Sequence, residues 1–176
     1  MVFTAFHFLS IAWVKFKAEE KVDILALLFS TTLIDIEPFF GVFTGTYHGI
    51  LHSFLGVTIF SALIAVTVFI VETKQASLVH SFLTLTRLSD NQPRQFRYVL
   101  MTSVFGGLSH VATDAFTHRN FAYLLFPLAI TSNPFWYGFE VGRAVQVLTV
   151  LLSLYSAYLW LRKLRNQQDH RVSLKS

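Results

Sequence analysis

Histidine and aspartate recur along the chain at spacings that suit a metal site. His48 and His52 are four residues apart, and His110, Asp114 and His118 repeat the same interval twice. Residues four apart on an α-helix lie on one face, about one turn from each other. Two helices that turn such faces toward each other could hold a metal ion in the core of a bundle.

Three more ionisable residues extend this set: His7 near the start of the chain, and Asp35 and Glu37 within LIDIEP. The chain has no cysteine, so the available ligands are imidazole and carboxylate, which suit zinc, manganese, iron or nickel. A catalytic zinc takes about three protein ligands and keeps one position for water. We therefore predict a divalent transition metal, with zinc as the first choice and one or two ions.

The residues are predicted to have different roles. The predicted metal ligands are His48, His52, His110, Asp114, Asp35, His7 and His118. The first four are the core ligands, and Asp35 is either a further ligand or the base that deprotonates water. Glu37 is predicted to be catalytic. Alternatively, Glu37, His7 and His118 either orient the ligands or bind a second metal.

The composition predicts that these residues lie in a membrane. Hydrophobic residues make up 53% of the chain and charged residues only 14%, whereas soluble domains are about 25% charged. A helix needs about 20 apolar residues to cross a bilayer. We predict an all-α, multi-pass transmembrane helical bundle of four or five spans in residues 1–161, followed by a basic cytoplasmic tail, 162–176. The predicted spans are 22–42, 49–71, 98–118, 141–161 and the short segment 2–14, extended to about Lys17.

The distribution of Lys and Arg predicts the orientation. Segments 15–21, 72–97 and 162–176 hold 12 of the 14 basic residues, and such loops stay in the cytoplasm. We therefore expect a protein of the cytoplasmic membrane of a prokaryote, with its basic loops and C-terminus inside. At ~1.5 Å per residue, Asp35, His52 and His110 all reach the outer half of the membrane, whereas His7 lies near its middle.

Four sequence elements, in order, carry a family resemblance: FHFLS, LIDIEP, HGILHSFLG and GGLSHVATDAFTH. Together they resemble the YdjM-like family of membrane-bound metal-dependent hydrolases over roughly residues 1–135. Asp35 and Glu37 stand on the two acids of that family's second element, and His110 and Asp114 match its last element closely. Pro38 replaces a family histidine.

The third element shows both agreement and departure. His52 matches the family, His48 is one residue closer to it than usual, and the family arginine is missing. The resemblance implies a helical metal site like that of zinc-dependent phospholipases C, and hydrolysis of a phosphodiester in a lipid-like substrate.

The predicted function is metal-dependent hydrolysis of a phosphoester or lipid-like substrate at the outer face of the membrane. The expected partner is the lipid bilayer, and no nucleic acid is expected. Three alternatives remain open: a non-enzymatic carrier of metal or protons, haem ligation by paired histidines, and a structural subunit whose polar groups hold helices together. A carrier should have ionisable groups that continue to the basic side, where the predicted spans have few.

Overall fold

The computed structural model describes residues 4–44, 48–86, 95–119, 121, 123–128, 130 and 132–173. These residues form an all-helical structure in which no β-strand occurs. Its α-helices are α1 (Thr4–Lys17), α2 (Ile24–Thr32), α3 (Ile36–Thr44), α4 (Phe54–Lys74), α5 (Ala76–Thr86), α6 (Phe96–Thr117) and α7 (Phe139–Ser173). Short 3₁₀ helices at Leu33–Asp35 and Ile50–His52 precede α3 and α4. Parts of the predicted basic loop and tail lie outside the described residues.

Three of the described segments are long and apolar enough to cross a membrane: Ile24–Gly41, Phe54–Lys74 and Phe139–Gln167. The all-helical class is therefore confirmed, and the helices are compatible with a membrane protein. The predicted total of four or five spans is not confirmed, because neither α1 nor α6 is among these segments. Helix α1 has only 14 residues, and α6 carries polar side chains on its buried face.

Helix α6 is the central element of the bundle. It packs chiefly against α4 and α2 and also contacts α1 and α7. Two adjacent glycines make this close packing possible, because a Cβ atom at Gly106 would overlap Ser30 Oγ and one at Gly107 would overlap Ser61 Oγ. The hydroxyl of Ser103 donates to the Ser61 carbonyl across the same interface, at 2.7 Å. Residues on α6 therefore face side chains from several helices.

The segment from α2 to α3 is interrupted where the site residues begin. Pro38 lies in the first turn of α3, and its ring is incompatible with regular α-helical geometry at the residue four positions earlier. The chain passes through the 3₁₀ helix Leu33–Asp35 at this point. This break places Asp35 at the end of α2, facing α6.

Helices α1 and α7 pack against each other on one side of the bundle. Helix α7 does not end near Leu161 but continues to Ser173, so the start of the predicted tail is a continuation of the helix. Lys163 Nζ lies 2.8 Å from Glu19 Oε1 and ties this continuation to the turn after α1. This ion pair lies at the end of the bundle that carries most of the Lys and Arg residues, which we call the basic end.

Candidate metal centre

Four side chains from three parts of the chain converge in the bundle: Asp35, His52, His110 and Asp114. Each offers one ligand atom, and these atoms all lie within 4.8 Å of one another. His110 Nε2 is 3.3 Å from both Asp35 Oδ1 and Asp114 Oδ2. His52 Nε2 is 3.8 Å from Asp35 Oδ1 and 4.0 Å from Asp114 Oδ2.

These separations fit a tetrahedral metal site. Zinc binds imidazole nitrogen and carboxylate oxygen at about 2.0–2.2 Å, so ligand atoms at the corners of a tetrahedron are about 3.3–3.6 Å apart. Two neutral imidazoles and two carboxylates would also balance the charge of a divalent ion. The four residues therefore suit a divalent metal in both distance and charge.

The two histidines are held by their outer nitrogens. His52 Nδ1 lies 2.7 Å from Glu37 Oε2, and His110 Nδ1 lies 2.8 Å from the Thr31 carbonyl oxygen. The Nε2 atoms of both rings are buried and have no hydrogen-bond partner. Metal-binding histidines commonly donate their second ring nitrogen to a carboxylate or carbonyl, which orients the ring toward the metal. Both histidines have this arrangement.

Glu37 lies behind His52, on the side away from the four converging atoms. Its carboxylate accepts hydrogen bonds from the backbone N–H of Leu51 at 3.1 Å and of His52 at 3.2 Å, besides its contact with the His52 ring. A Cβ atom at Gly49 would overlap this carboxylate, so glycine leaves the room that Glu37 occupies. Glu37 therefore joins α3 to the turn before α4.

The other oxygen of Asp114 faces two further histidines. Asp114 Oδ1 lies 3.4 Å from His7 Nε2 on α1 and 3.6 Å from His118 Nε2. His118 ends α6 and remains close to Asp114, as the four-residue spacing predicted. His7 was predicted near the middle of the membrane, away from the other ligands, but its ring lies 4.1 Å from that of His110 between the centroids.

His48 lies outside the group of four. Its ring stacks on Phe121 at 4.6 Å, and its centroid is 5.0 Å from that of His52. The prediction that His48 and His52 share a helix face was wrong, because Gly49 has a non-helical backbone (φ −100°, ψ −148°) and α4 begins only at Phe54. Burial, followed by repulsion from His52, lowers the pKa of His48 to about 4. The ring is therefore neutral at pH 7, the form in which imidazole binds metals.

The chain belongs to the family described as domain of unknown function DUF4184. The family model matches residues 1–176. No curated protein matches the chain, and no solved structure does. Function is therefore inferred from the geometry of the site.

Among the four converging residues, Asp35 marks the opening to the surroundings. His52, His110 and Asp114 are buried, whereas the side chain of Asp35 is 24% exposed. The helix that begins directly after Asp35 carries three phenylalanines that are mostly exposed: Phe39, Phe40 and Phe43. The opening at Asp35 therefore lies beside an apolar surface.

Three supporting residues were not singled out from the sequence: Thr31, Phe121 and Asn133. Asn133 donates to the backbone carbonyls of Ala115 and His118, both at 2.7 Å, and so holds the end of α6. Asparagine frequently forms hydrogen bonds with the backbone in turns, so its residue type could have indicated a role for Asn133. Thr31 acts through its backbone carbonyl, which any residue type could supply, so no sequence signal exists for it.

Proposed function

We propose that this protein is a membrane-embedded metal-dependent hydrolase that acts on a phosphoester or lipid-like substrate at the outer face of the membrane. The observation that carries the proposal is the convergence of two buried Nε2 atoms without a hydrogen-bond partner, on His52 and His110, with carboxylate oxygens of Asp35 and Asp114. The resemblance of the ordered sequence elements to the YdjM-like hydrolases supports the reaction class. Zinc is the metal that we propose first.

The site residues have different roles in the proposed reaction. His52, His110 and Asp114 would hold the metal, and Glu37 is a positioning residue that fixes the His52 ring through Nδ1. A divalent metal bound there would supply Lewis acidity and would activate water at neutral pH. Asp35 is the most exposed member of the group, so it is best placed both to bind the metal and to accept a proton from water that enters.

The surface beside the opening supports a lipid-like substrate. Phe39, Phe40 and Phe43 have exposed fractions of 64%, 56% and 79%, and they follow Asp35 directly on α3. A polar phosphoester group could reach Asp35 while an attached apolar chain lies against these rings. This arrangement suits a lipid better than a small hydrophilic ester.

The position of the site in the bundle supports its proposed orientation. Asp35 follows α2, His52 precedes α4 and Asp114 lies near the end of α6, whereas Asp23, Lys74 and Arg97 mark the other ends of these helices. The site and most of the basic residues are therefore at opposite ends. Because basic ends stay in the cytoplasm, the site would face outward.

Metal analysis and an activity assay on the full chain, purified in detergent without chelators, test the proposal. We expect about one equivalent of transition metal or more, and hydrolysis of a zwitterionic phospholipid or of bis(p-nitrophenyl) phosphate. The double variant His110→Ala/Asp114→Ala should lose both, whereas His80→Ala, on the exposed side of α5, should keep both. The proposal is wrong if the double variant retains its metal, or if the metal-loaded protein hydrolyses no phosphoester.

A carrier of metal or protons is the second candidate, because one observation favours it. Lys15 and Asp23, which are buried, and Glu72, which is partly buried, form an ionisable cluster at the basic end, although the sequence predicted few such groups there. Proteoliposomes that show zinc or proton flux dependent on both His52 and Asp23 would favour the carrier. Flux equal to that of empty liposomes would exclude it.

A further inference from the structure

Asp114 presents its two carboxylate oxygens to two different sets of histidines. Oδ2 faces His110 and His52, at 3.3 and 4.0 Å from their Nε2 atoms. Oδ1 faces His7 and His118, at 3.4 and 3.6 Å from theirs. Each oxygen of an ionised carboxylate can accept hydrogen bonds independently of the other. The Asp114 side chain therefore connects the two pairs of histidines.

We propose that Asp114 bridges two metal ions, and that its Oδ1 forms the second site together with the Nε2 atoms of His7 and His118. This inference rests on the proposed metal site but not on the proposed hydrolysis. The contacts of 3.4 and 3.6 Å fall within the ligand separations that a tetrahedral zinc site gives, about 3.3–3.6 Å.

Burial supports the second site. The His7 side chain is 3% exposed and that of Asp114 is 6% exposed, so neither is a solvated surface group. His7 Nδ1 is also buried without a hydrogen-bond partner, which leaves the Asp114 contact as the polar contact described for this ring. A buried histidine without other polar partners costs stability unless something binds it.

The orientation of the histidine rings around Asp114 also supports the second site. The rings of His7 and His110 lie side by side, with centroids 4.1 Å apart, and each points its Nε2 atom at a different oxygen of Asp114. His48 is the residue best placed to complete the set, because its ring centroid lies 4.8 Å from that of His118. Its buried Nδ1 has no hydrogen-bond partner.

A second ion also narrows the substrate class. Two divalent ions carry one positive charge more than the three carboxylates of Asp35, Glu37 and Asp114 carry negative. A buried excess of positive charge favours an anionic ligand. Two-metal sites with ions about 3.5–4 Å apart are typical of enzymes that hydrolyse phosphate esters. The second site therefore favours a phosphoester over a neutral carboxylic ester.

Metal stoichiometry on the full chain tests the second site. The protein in detergent is treated with chelator, dialysed against Zn²⁺ and measured by mass spectrometry. We expect about two equivalents in the wild-type chain and in His80→Ala, about one in His7→Ala and in His118→Ala, and almost none in Asp114→Ala. One equivalent in the wild-type chain, unchanged in His7→Ala and His118→Ala, overturns the second site and leaves the first intact.

Electron paramagnetic resonance of the Mn²⁺-loaded wild-type chain tests the bridge without any substitution. Two Mn²⁺ ions that share a carboxylate should give an exchange-coupled spectrum, and His118→Ala should give the spectrum of an isolated ion. Isolated-ion spectra from a wild-type chain holding two equivalents overturn the bridge. Two bound ions without phosphoester hydrolysis would keep this inference and refute the proposed function, whereas no bound metal would refute both.

Discussion

Two polar clusters lie inside the bundle, at opposite ends of α2, α4 and α6. The histidine–aspartate cluster consists of Asp35, His52, His110 and Asp114. The lysine–carboxyl cluster consists of Lys15, Asp23 and Glu72. Thr102, which contacts Asp23, and Asp114 are 12 residues apart on α6, which corresponds to about 18 Å. Both clusters contain buried polar atoms without a hydrogen-bond partner, but these atoms are arranged in different ways.

The lysine–carboxyl cluster is held largely by nearby backbone groups. Lys15 Nζ donates to the carbonyls of Glu19 and Val22, at 2.5 and 2.7 Å. Asp23 Oδ1 accepts from the Ala26 N–H at 2.7 Å and so caps the start of α2. The carboxyl groups of Asp23 and Glu72 are within hydrogen-bonding reach of each other, and Lys15 lies close enough to offset their repulsion. This cluster ties helix ends together.

The histidine–aspartate cluster differs in where its ligand atoms point. Its hydrogen bonds are at the outer nitrogens of the rings, and the inner Nε2 atoms of His52 and His110 converge without hydrogen bonds. Buried polar atoms that converge without satisfying one another are costly unless a ligand binds them. Burial and missing hydrogen bonds therefore do not identify a functional site in this protein, because Asp23 Oδ2 and Glu72 Oε1 are also buried without a hydrogen-bond partner. The convergence of imidazole and carboxylate ligand atoms within 4.8 Å of one another does identify a candidate site.

The largest expected effect is on the amount of bound metal. The matched substitutions Asp114→Asn and Asp23→Asn, one in each cluster, test it. Asp114→Asn removes a charged ligand from the converging atoms, so the bound metal should fall to below about a tenth of the wild-type content, a loss of at least 1.4 kcal/mol of binding free energy. Asp23→Asn should leave the metal content unchanged. Mass spectrometry of both purified variants makes the measurement.

The comparison between the clusters would fail if Asp23→Asn lost the metal as completely as Asp114→Asn. Melting curves of both variants serve as the control for folding. A variant of Asp114 that melts as the wild type does and still lacks metal would establish that the loss is local.

The second expected effect is on stability. Lys15→Met removes a buried cation, 1% exposed, and leaves the Asp23 and Glu72 carboxyl groups without their positive neighbour. Breaking one partner of a buried charge cluster costs about 3 kcal/mol. Chemical unfolding in detergent should show a loss of this order with metal content unchanged, whereas Lys74→Met, at an exposed position on the same end, should change stability by less than about 0.5 kcal/mol. Equal losses in both variants would contradict the structural role of Lys15.

Much of the site could be predicted from the sequence because it depends on one continuous helix. His110, Asp114 and His118 follow the helical repeat along α6 to its end, so their spacing determines that they share a face. The proximity of Asp35 and His52 to this face followed from counting residues along the predicted spans. These arguments work where the backbone is regular.

The errors occur where the backbone is irregular or where a charge is not at the surface. His48 and His52 were assigned to one helix, but Gly49 interrupts the helical path. His7 was placed too deep because its distance was counted from Lys15, which was treated as a marker of the membrane surface. Lys15 is in fact buried inside the bundle, so His7 lies further toward the site end. The predicted number of spans was not confirmed, and α6 in particular carries polar groups that are buried within the bundle.

A third effect concerns the positioning of His52. Glu37→Gln keeps the shape of the side chain but replaces the carboxylate that lies 2.7 Å from His52 Nδ1. Loss of such an outer partner typically lowers metal affinity by about 10–100-fold. Competition with a fluorescent zinc chelator measures this change, and Glu140→Gln, on an exposed side chain, is the matched control. An affinity within about twofold of the wild type would exclude a positioning role for Glu37.

The smallest expected effect tests whether Glu37 acts through its position or only through its charge. Gly49→Ala keeps the carboxylate but adds a Cβ where Glu37 lies. Because the carboxylate is the end of a flexible side chain, it can move aside, and metal affinity should fall only about threefold, well below the range for loss of an outer partner. In the Glu37→Gln background Gly49→Ala should add little, since substitutions that act on one contact are not additive. Full additivity in this double-mutant cycle would mean that Gly49 affects the site by a route other than Glu37, such as the backbone turn that carries His52.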